Sequence, residues 1–201
     1  MSEESHPNTK VAWSPEIDRL LAKWCDHAKC YEWMHAEAFS LYDSRARNFM
    51  IGINCLTALS GVSNVIAGGY SFDGFQVGWL FGGISIFVST LNILQDKLGY
   101  AVAALKHKGL AADWAMIRTE IEETITIPYG GRKDCKTFLK FIKADINEAQ
   151  KEGSIIPEKI KEECLAKFEA ICGFDIPDIC GQVEHTSFYR HDSIEPLLTR
   201  E

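Results

Sequence analysis

The stretch from Phe49 to Gln95 constrains the fold most strongly, because its 47 residues carry a single formal charge, Asp73. It divides into two apolar arms, Phe49–Gly69 and Phe75–Gln95, which are joined by a turn-like linker at Tyr70–Phe75. As helices, arms of 21 residues each span roughly 30 Å, the thickness of a bilayer's hydrocarbon core. A buried helical hairpin is the competing interpretation, but such helices carry a charged stripe that these arms lack. The sequence therefore predicts a transmembrane hairpin.

Basic residues flank the outer ends of the two arms, whereas the linker has none. They are Arg45 and Arg47 before the first arm, and Lys97, Lys106 and Lys108 after the second. Because positive charge is retained on the cytoplasmic side, we expect a two-pass integral membrane protein with both termini in the cytoplasm. An odd number of cysteines, seven, fits a reducing compartment, and we expect no structural disulfide.

The flanking sequence predicts helices outside the membrane. Residues 1–13 form a polar lead-in, and 14–48 an amphipathic cytoplasmic helix that starts with Ser14 as cap and Pro15 in the first turn. Residues 96–127 form a long cytoplasmic helix antiparallel to it, 132–173 a two-helix part, and 174–201 an irregular tail. The predicted fold is an all-α membrane protein: a transmembrane hairpin (49–95) extended by long cytoplasmic helices in the manner of a coiled coil, followed by two shorter helices.

This arrangement resembles the SLATT superfamily of SMODS/SLOG-associating two-transmembrane effector-type domains. The resemblance covers about Ser14–Phe168 and is carried by helical patterns on both sides of the hairpin: Tyr31, His35, Ala38 and Tyr42 before Arg45-Ala46-Arg47, and Tyr100, Ala104, His107, Ala111, Trp114, Ile117 and Ile121 after it. Members are proposed to be pore-forming effectors in conflict systems that respond to nucleotide signals, and others occur in large DNA viruses. The resemblance implies a membrane effector, and a viral member of the superfamily is also compatible with it.

Small and polar residues recur at helical spacing in both arms. We call them the seam: Asn54, Thr57, Gly61 and Asn64 in the first arm, and Gly78, Gly82, Ser85, Ser89 and Asn92 in the second. One interpretation is close helix packing, since small residues let backbones approach and polar side chains bond across helices. The other is that the seam lines a water-filled path in an oligomer. A single hairpin can cover at most one face of each arm with the other arm, so the seam on both arms favours self-association.

Charged residues at the ends of the arms are candidates for a mouth and a gate. Arg45, Arg47 and Asp96 lie at the cytoplasmic end, and Asp73 lies at the far end. The arms have no ring of charge, which argues against strong ion selectivity. Gating is expected at 45–48 and 96–99, where the cytoplasmic helices meet the arms.

Other classes of function have little support in the sequence. Cys25, His27, Cys30 and His35 cannot converge on one metal ion, because His27 lies on a different helical face from Cys25. His107 is expected to be a packed histidine rather than a proton sensor. No motif of an enzyme or cofactor site is present, so we expect no enzyme, cofactor or metal.

A net charge of −7 argues against nucleic acid as a partner. The expected partners are the lipid bilayer and further copies of the chain. Three functions remain: an oligomeric pore or channel-like effector, a structural or scaffolding membrane protein such as one of a viral membrane, and a membrane-anchored adaptor that binds a protein through its cytoplasmic helices or tail.

Overall fold

The computed structural model describes the backbone of residues 11–67, 71–72, 75–76 and 78–181, and the side chains of 11–62 and 82–181. These residues have an all-α fold, with one pair of very short strands between the first two helices. The elements are α1 (Pro15–Ala67), β1 (Ser71–Phe72), β2 (Phe75–Gln76), α2 (Gly78–Leu98), α3 (Tyr100–Thr126), α4 (Cys135–Lys151) and α5 (Glu158–Phe168). Short 3-10 turns follow α3 and α5, at Tyr129–Gly131 and Asp178–Cys180.

Helix α1 begins where Ser14 and Pro15 predict a helix start. The Ser14 carbonyl accepts a bond from the Asp18 amide at 3.1 Å, and Pro15 occupies the first turn, where its missing N–H is not needed. The helix then runs for 53 residues, without a break between 14–48 and the first arm. At about 1.5 Å per residue, α1 is a rod of about 80 Å.

The linker forms a small β-hairpin, in which β1 and β2 pair antiparallel with Ser71 opposite Gln76 and Phe72 opposite Phe75. The turn-like linker predicted at Tyr70–Phe75 thus has strand pairing on both sides of its centre. Asp73, a predicted mouth residue, lies outside the described residues.

The second arm does not run straight into the long helix that follows it. Gly99 separates α2 from α3 with a φ of 62°, in the left-handed region that glycine adopts without strain. Backbone bonding continues on both sides, because the Gly99 amide donates to Gln95 at 3.3 Å and the Gly99 carbonyl accepts from Ala103 at 2.9 Å. The predicted helix 96–127 is therefore divided at the point where the arms end.

Two clusters of buried side chains flank the N-terminal half of α1. The first joins α1 to α3 and α4: Leu21, Cys25, Ala28, Trp114, Ile117, Ile121, Phe138, Ile142 and Ala149. The second joins α1 to α5 and the segment after it: Cys30, Met34, Ala38, Ile156, Ile160, Cys164, Ile176 and Cys180. We call this assembly the helical body: residues 15–48 of α1 with α3, α4, α5 and 174–181.

Arg132 closes one end of the helical body. Its side chain is 4% exposed and forms an ion pair with Asp18, while Nε and Nη2 donate to the carbonyls of Ile127 and Ile125. The guanidinium also lies over the rings of Trp13 and Tyr129, at 4.8 and 4.7 Å. These contacts fix the Gly130–Lys133 turn, which connects α3 to α4, against the start of α1.

Two boundaries of the predicted two-helix part, 132–173, differ from the structure. Helix α4 starts at Cys135, because the Asp134 side chain accepts from the Thr137 amide and caps it there. Helix α5 ends at Phe168, and the chain turns before Gly173. The tail predicted from residue 174 has no regular structure up to Gly181 apart from the 3-10 turn, but it packs against the helical body, since Ile176 and Cys180 are 4% and 6% exposed and belong to the second cluster. Residues 182–201 lie outside the described part.

Within the described residues, none of the helices combines the length and the apolar character needed to cross a membrane.

Candidate functional site

The two arms contact each other through a narrow strip of side chains. Only Ile53, Ser60 and Val88 are buried among the arm residues whose side chains are described. The hydroxyls of Ser60 and Ser85 lie 2.8 Å apart and hydrogen-bond across the two helices. The contact between the arms is thus partly polar, although most of their other side chains are apolar.

The seam lies mostly outside this contact. Asn54, Thr57 and Gly61 are exposed on α1, and Gly82, Ser89 and Asn92 are exposed on α2. Ser85 is the exception, because it reaches Ser60. Helical geometry places the exposed members about a quarter turn away from the arm–arm contact.

Three polar side chains of the seam bond to the backbone of their own helices. Thr57 donates to the Ile53 carbonyl at 2.8 Å, Ser89 to Ser85 at 3.0 Å, and Asn92 to Val88 at 3.2 Å. Gly61 and Gly82 make no close contact with the other arm, since a Cβ built on either meets nothing within 4 Å among the described residues. Apart from Ser85, the described members of the seam therefore do not pack closely against the other arm of the same chain. Asn64 and Gly78 lie outside the residues whose side chains are described.

Large apolar side chains cover the rest of the outward surface of the arms. On the first arm, Leu59 and Val62 are 66% and 61% exposed, and on the second arm Ile86 and Ile93 are 71% and 64% exposed. Each arm therefore has a contact strip, a polar flank and an apolar back. In water this arrangement exposes apolar surface that folding normally buries.

The predicted mouth residues lie where the arms leave the helical body. Asp96 lines a crevice of about 140 Å³ beside Ala46 and Gly99. Arg47 forms an exposed ion pair with Asp43 at 3.1 Å, and the guanidinium of Arg45 lies 5.9 Å from the ring of Tyr42. The structure thus places Asp96 beside the Gly99 break and leaves both arginines on the surface of α1.

A buried histidine pair lies further along the same two helices. The Nδ1 atoms of His35 on α1 and His107 on α3 are 2.8 Å apart, and the two residues are 2% and 0% exposed. The ring of Tyr42 stacks on His107, with their centroids 5.4 Å apart, and on Tyr100 at 6.2 Å. The two histidines and the two tyrosines thus form a polar layer in the contact between α1 and α3. This layer lies on the side of the helical body from which the arms extend.

The geometry of the pair limits its charge. A bond between two Nδ1 atoms needs one donor and one acceptor, so at least one ring must be neutral. Burial lowers the pKa of His35 to about 4, with a further contribution from His107. Burial also lowers the pKa of His107, and nearby Lys106 adds to the shift. His107 Nε2 is buried without a hydrogen-bond partner, so a protonated pair would be poorly solvated.

The residues weighed as metal ligands diverge. Cys25 donates to Glu122, His27 bonds to Asp175 at 2.8 Å, Cys30 packs in the second cluster, and His35 bonds to His107. No group of three or more metal-ligating side chains converges within the described part of the chain.

The histidine pair and Ser60 were not predicted as site residues. The available signal was spacing: Tyr42 follows His35 by seven residues and Tyr100 precedes His107 by seven, so antiparallel helices bring the two pairs to the same level. Ser60 belongs to no polar row in the sequence, and its hydrogen bond to Ser85 depends on how α2 packs against α1.

Comparison of the chain with protein-family models, with curated proteins and with solved structures finds no match. The resemblance to the SLATT superfamily therefore stays a prediction.

Proposed function

We propose that the chain is a two-pass membrane protein that assembles into a homo-oligomer and forms a pore lined by the seam. The arms Phe49–Gly69 and Phe75–Gln95 cross the bilayer, and both termini lie in the cytoplasm. The activity is permeation rather than catalysis. The resemblance to SLATT effectors agrees with this function.

The observation that carries the proposal is the distribution of side chains on the arms. Apolar residues such as Leu59 and Ile86 face away from the partner arm, where lipid is a favourable neighbour. Polar residues such as Asn54 and Asn92 also face away from the partner arm, and lipid is an unfavourable neighbour for them. A neighbouring subunit or a water-filled path provides hydrogen-bond partners for the polar side chains on that flank.

Orientation in the membrane is tested by labelling single engineered cysteines from either side. Sites at Ser2 and Thr199 should react only from the cytoplasmic side, and a site at Ser71 only from the opposite side. Labelling of Ser71 from the cytoplasmic side would contradict the topology.

Self-association is tested with Gly82→Leu. A Cβ at this position meets nothing within 4 Å among the described residues, so a fall in oligomer size can be attributed to a neighbouring subunit. Ile86→Leu, on the apolar back of the same helix, is the matched control and should leave the size unchanged. A monomeric wild type in nanodiscs, measured by mass photometry, would refute the oligomer.

Permeation is tested by release of a small dye from liposomes that contain the wild type, Asn64→Leu, Asn92→Leu or Ile86→Leu. If Asn92 lines the path, Leu dewets it and release falls by about tenfold or more while the oligomer persists. Ile86→Leu should release dye like the wild type. If the inserted oligomer releases no dye under any condition, the structural, scaffolding or adaptor function replaces the pore.

A further inference from the structure

A groove between α3 and α4 is lined by residues of these two helices and Glu152, and the pore does not explain it. It encloses about 500 Å³. Its floor contains the buried residues Ile117 and Ala149, and Met116 and Phe141 line it with 63% and 55% of their surfaces exposed. Exposed side chains of this size beside a concave surface are typical of an interaction site.

The rim of the groove is acidic. Its carboxylates are Asp113, Glu120, Asp145, Glu148 and Glu152. Glu120 lies 3.9 Å from the Lys133 ammonium group, and the other four carboxylates form no ion pair within the described residues. Burial and the neighbouring Glu148 raise the pKa of Asp145, as expected where charges of one sign accumulate. The surface that fits this groove is cationic and partly apolar.

The chain carries such a surface on the opposite side of α4. Lys136, Lys140 and Lys143 recur at steps of four and three, are all exposed, and form no ion pair in the described structure. Helical geometry places this lysine face about 140° around α4 from the row of Phe141, Asp145 and Glu148. The lysines of one chain therefore cannot enter the groove of the same chain.

We infer that the groove of one subunit receives the lysine face of α4 from the next copy of this chain, in a head-to-tail contact. The two surfaces lie on different sides of the helical body, so the contact is heterologous and closes into a ring when the rotation between subunits allows it. The lysine stems cover Met116 and Phe141, and the ammonium groups meet the carboxylates. This inference rests on the proposed homo-oligomer and assigns its contact outside the membrane.

Other occupants from the same chain have the wrong charge. Residues 1–10 contain two acidic residues and one lysine, and residues 182–201 contain four acidic residues and two arginines. Neither segment supplies the cationic surface that the acidic rim requires. A basic helix of another protein would fit the groove, and the experiment below separates it from a second copy.

The test is a charge exchange in the full-length protein, reconstituted in phosphatidylcholine nanodiscs and sized by mass photometry. One variant reverses the lysine face (K136E/K140E/K143E), and the other reverses exposed groove residues (E148K/E152K). Each alone should raise the concentration for half-maximal assembly by about tenfold, because like charges then meet at every interface. E162K/E169K, which reverses one exposed carboxylate on α5 and one directly after it, is the control and should assemble like the wild type.

Complementation gives the decisive result. The chain that carries both reversals should recover assembly, because each reversed groove then meets a reversed lysine face. An equimolar mixture of the two single-surface variants should also assemble, in even-numbered rings. Wild-type assembly of both single-surface variants would overturn the inference while leaving the membrane oligomer intact. Loss of assembly that neither the combined chain nor the mixture recovers would also overturn it and indicate a different partner for the groove. A monomeric wild type would instead refute the proposed function.

Discussion

The two halves of α1 belong to one uninterrupted helix, yet they distribute apolar side chains in opposite ways. Before Asn48, residues such as Leu21 and Met34 are fully buried against α3, α4 or α5. After it, Leu59 and Val62 face outward, and the buried positions among the described residues are Ile53 and Ser60. The proposed membrane hairpin accounts for this change along the helix, because lipid would replace water around its second half.

The largest expected effect is a contrast between matched truncations in the two regions. Ile121→Ala removes a side chain with 0% exposure from the first cluster and should lower the free energy of unfolding by about 2 to 5 kcal/mol. Ile86→Ala removes the same atoms from a side chain that is 71% exposed on the second arm and should cost less than about 0.5 kcal/mol. Urea titration in mild detergent, followed by tryptophan fluorescence, measures both. Equal losses would remove the contrast between the regions.

The next effect concerns the closed end of the helical body. Arg132→Ala loses an ion pair, two bonds to carbonyls and two aromatic contacts, and it leaves Asp18 without its guanidinium partner. We expect a loss of about 2 to 3 kcal/mol in the same titration. Arg132→Lys keeps the charge but not the planar fork, so it should recover less than half of that loss. Lys159→Glu, at a largely exposed position, is the control and should change little.

The histidine pair predicts acid destabilisation of the helical body. The pKa of His35 falls from an ordinary value of about 6.5 to about 4 on folding, so the unfolded chain binds the proton more tightly. Stability should therefore be constant above about pH 6.5 and decline as the pH falls toward 4, by about 2 kcal/mol at pH 5. Urea titrations at pH 7.5 and pH 5 measure the loss for the wild type and for His35→Gln. The variant should lose much less than the wild type, and an equal loss would assign the pH dependence to other groups.

The smallest expected effect lies between the arms. Ser60→Ala removes the bond to Ser85 and should destabilise the hairpin by about 1 kcal/mol, the usual size of such bonds between membrane helices. Ser89→Ala is the control, because the Ser89 hydroxyl bonds only within its own helix among the described residues. Thermal unfolding in detergent, followed by far-ultraviolet circular dichroism, compares them. A larger effect at Ser89 would indicate that the seam, not the observed strip, holds the hairpin together.

Periodicity and helix-start signals predicted the helices but not how they pair. Ser14 and Pro15 mark the start of α1 because capping is a local interaction. The histidine pair depends on which two faces meet, and the apolar pattern of one helix does not specify its partner. The break at Gly99 was hidden because apolar residues continue on both sides of it. The packing of Ile176 and Cys180 was missed because a segment without regular structure has no period to detect.

The most direct test of the account is the environment of single side chains on the arms in liposomes. Spin labels are placed one at a time on the apolar back (Leu59, Ile86, Ile93) and on the seam (Asn54, Ser89, Asn92), in a chain whose exposed cysteines Cys55 and Cys172 are replaced by serine. Collision with oxygen, which concentrates in lipid, is compared with collision with a water-soluble nickel complex. We expect labels on the back to collide mainly with oxygen, and labels on the seam to collide mainly with nickel or to be shielded by a neighbouring subunit. Strong nickel collision at Leu59, Ile86 and Ile93 would place the arms in water and contradict it.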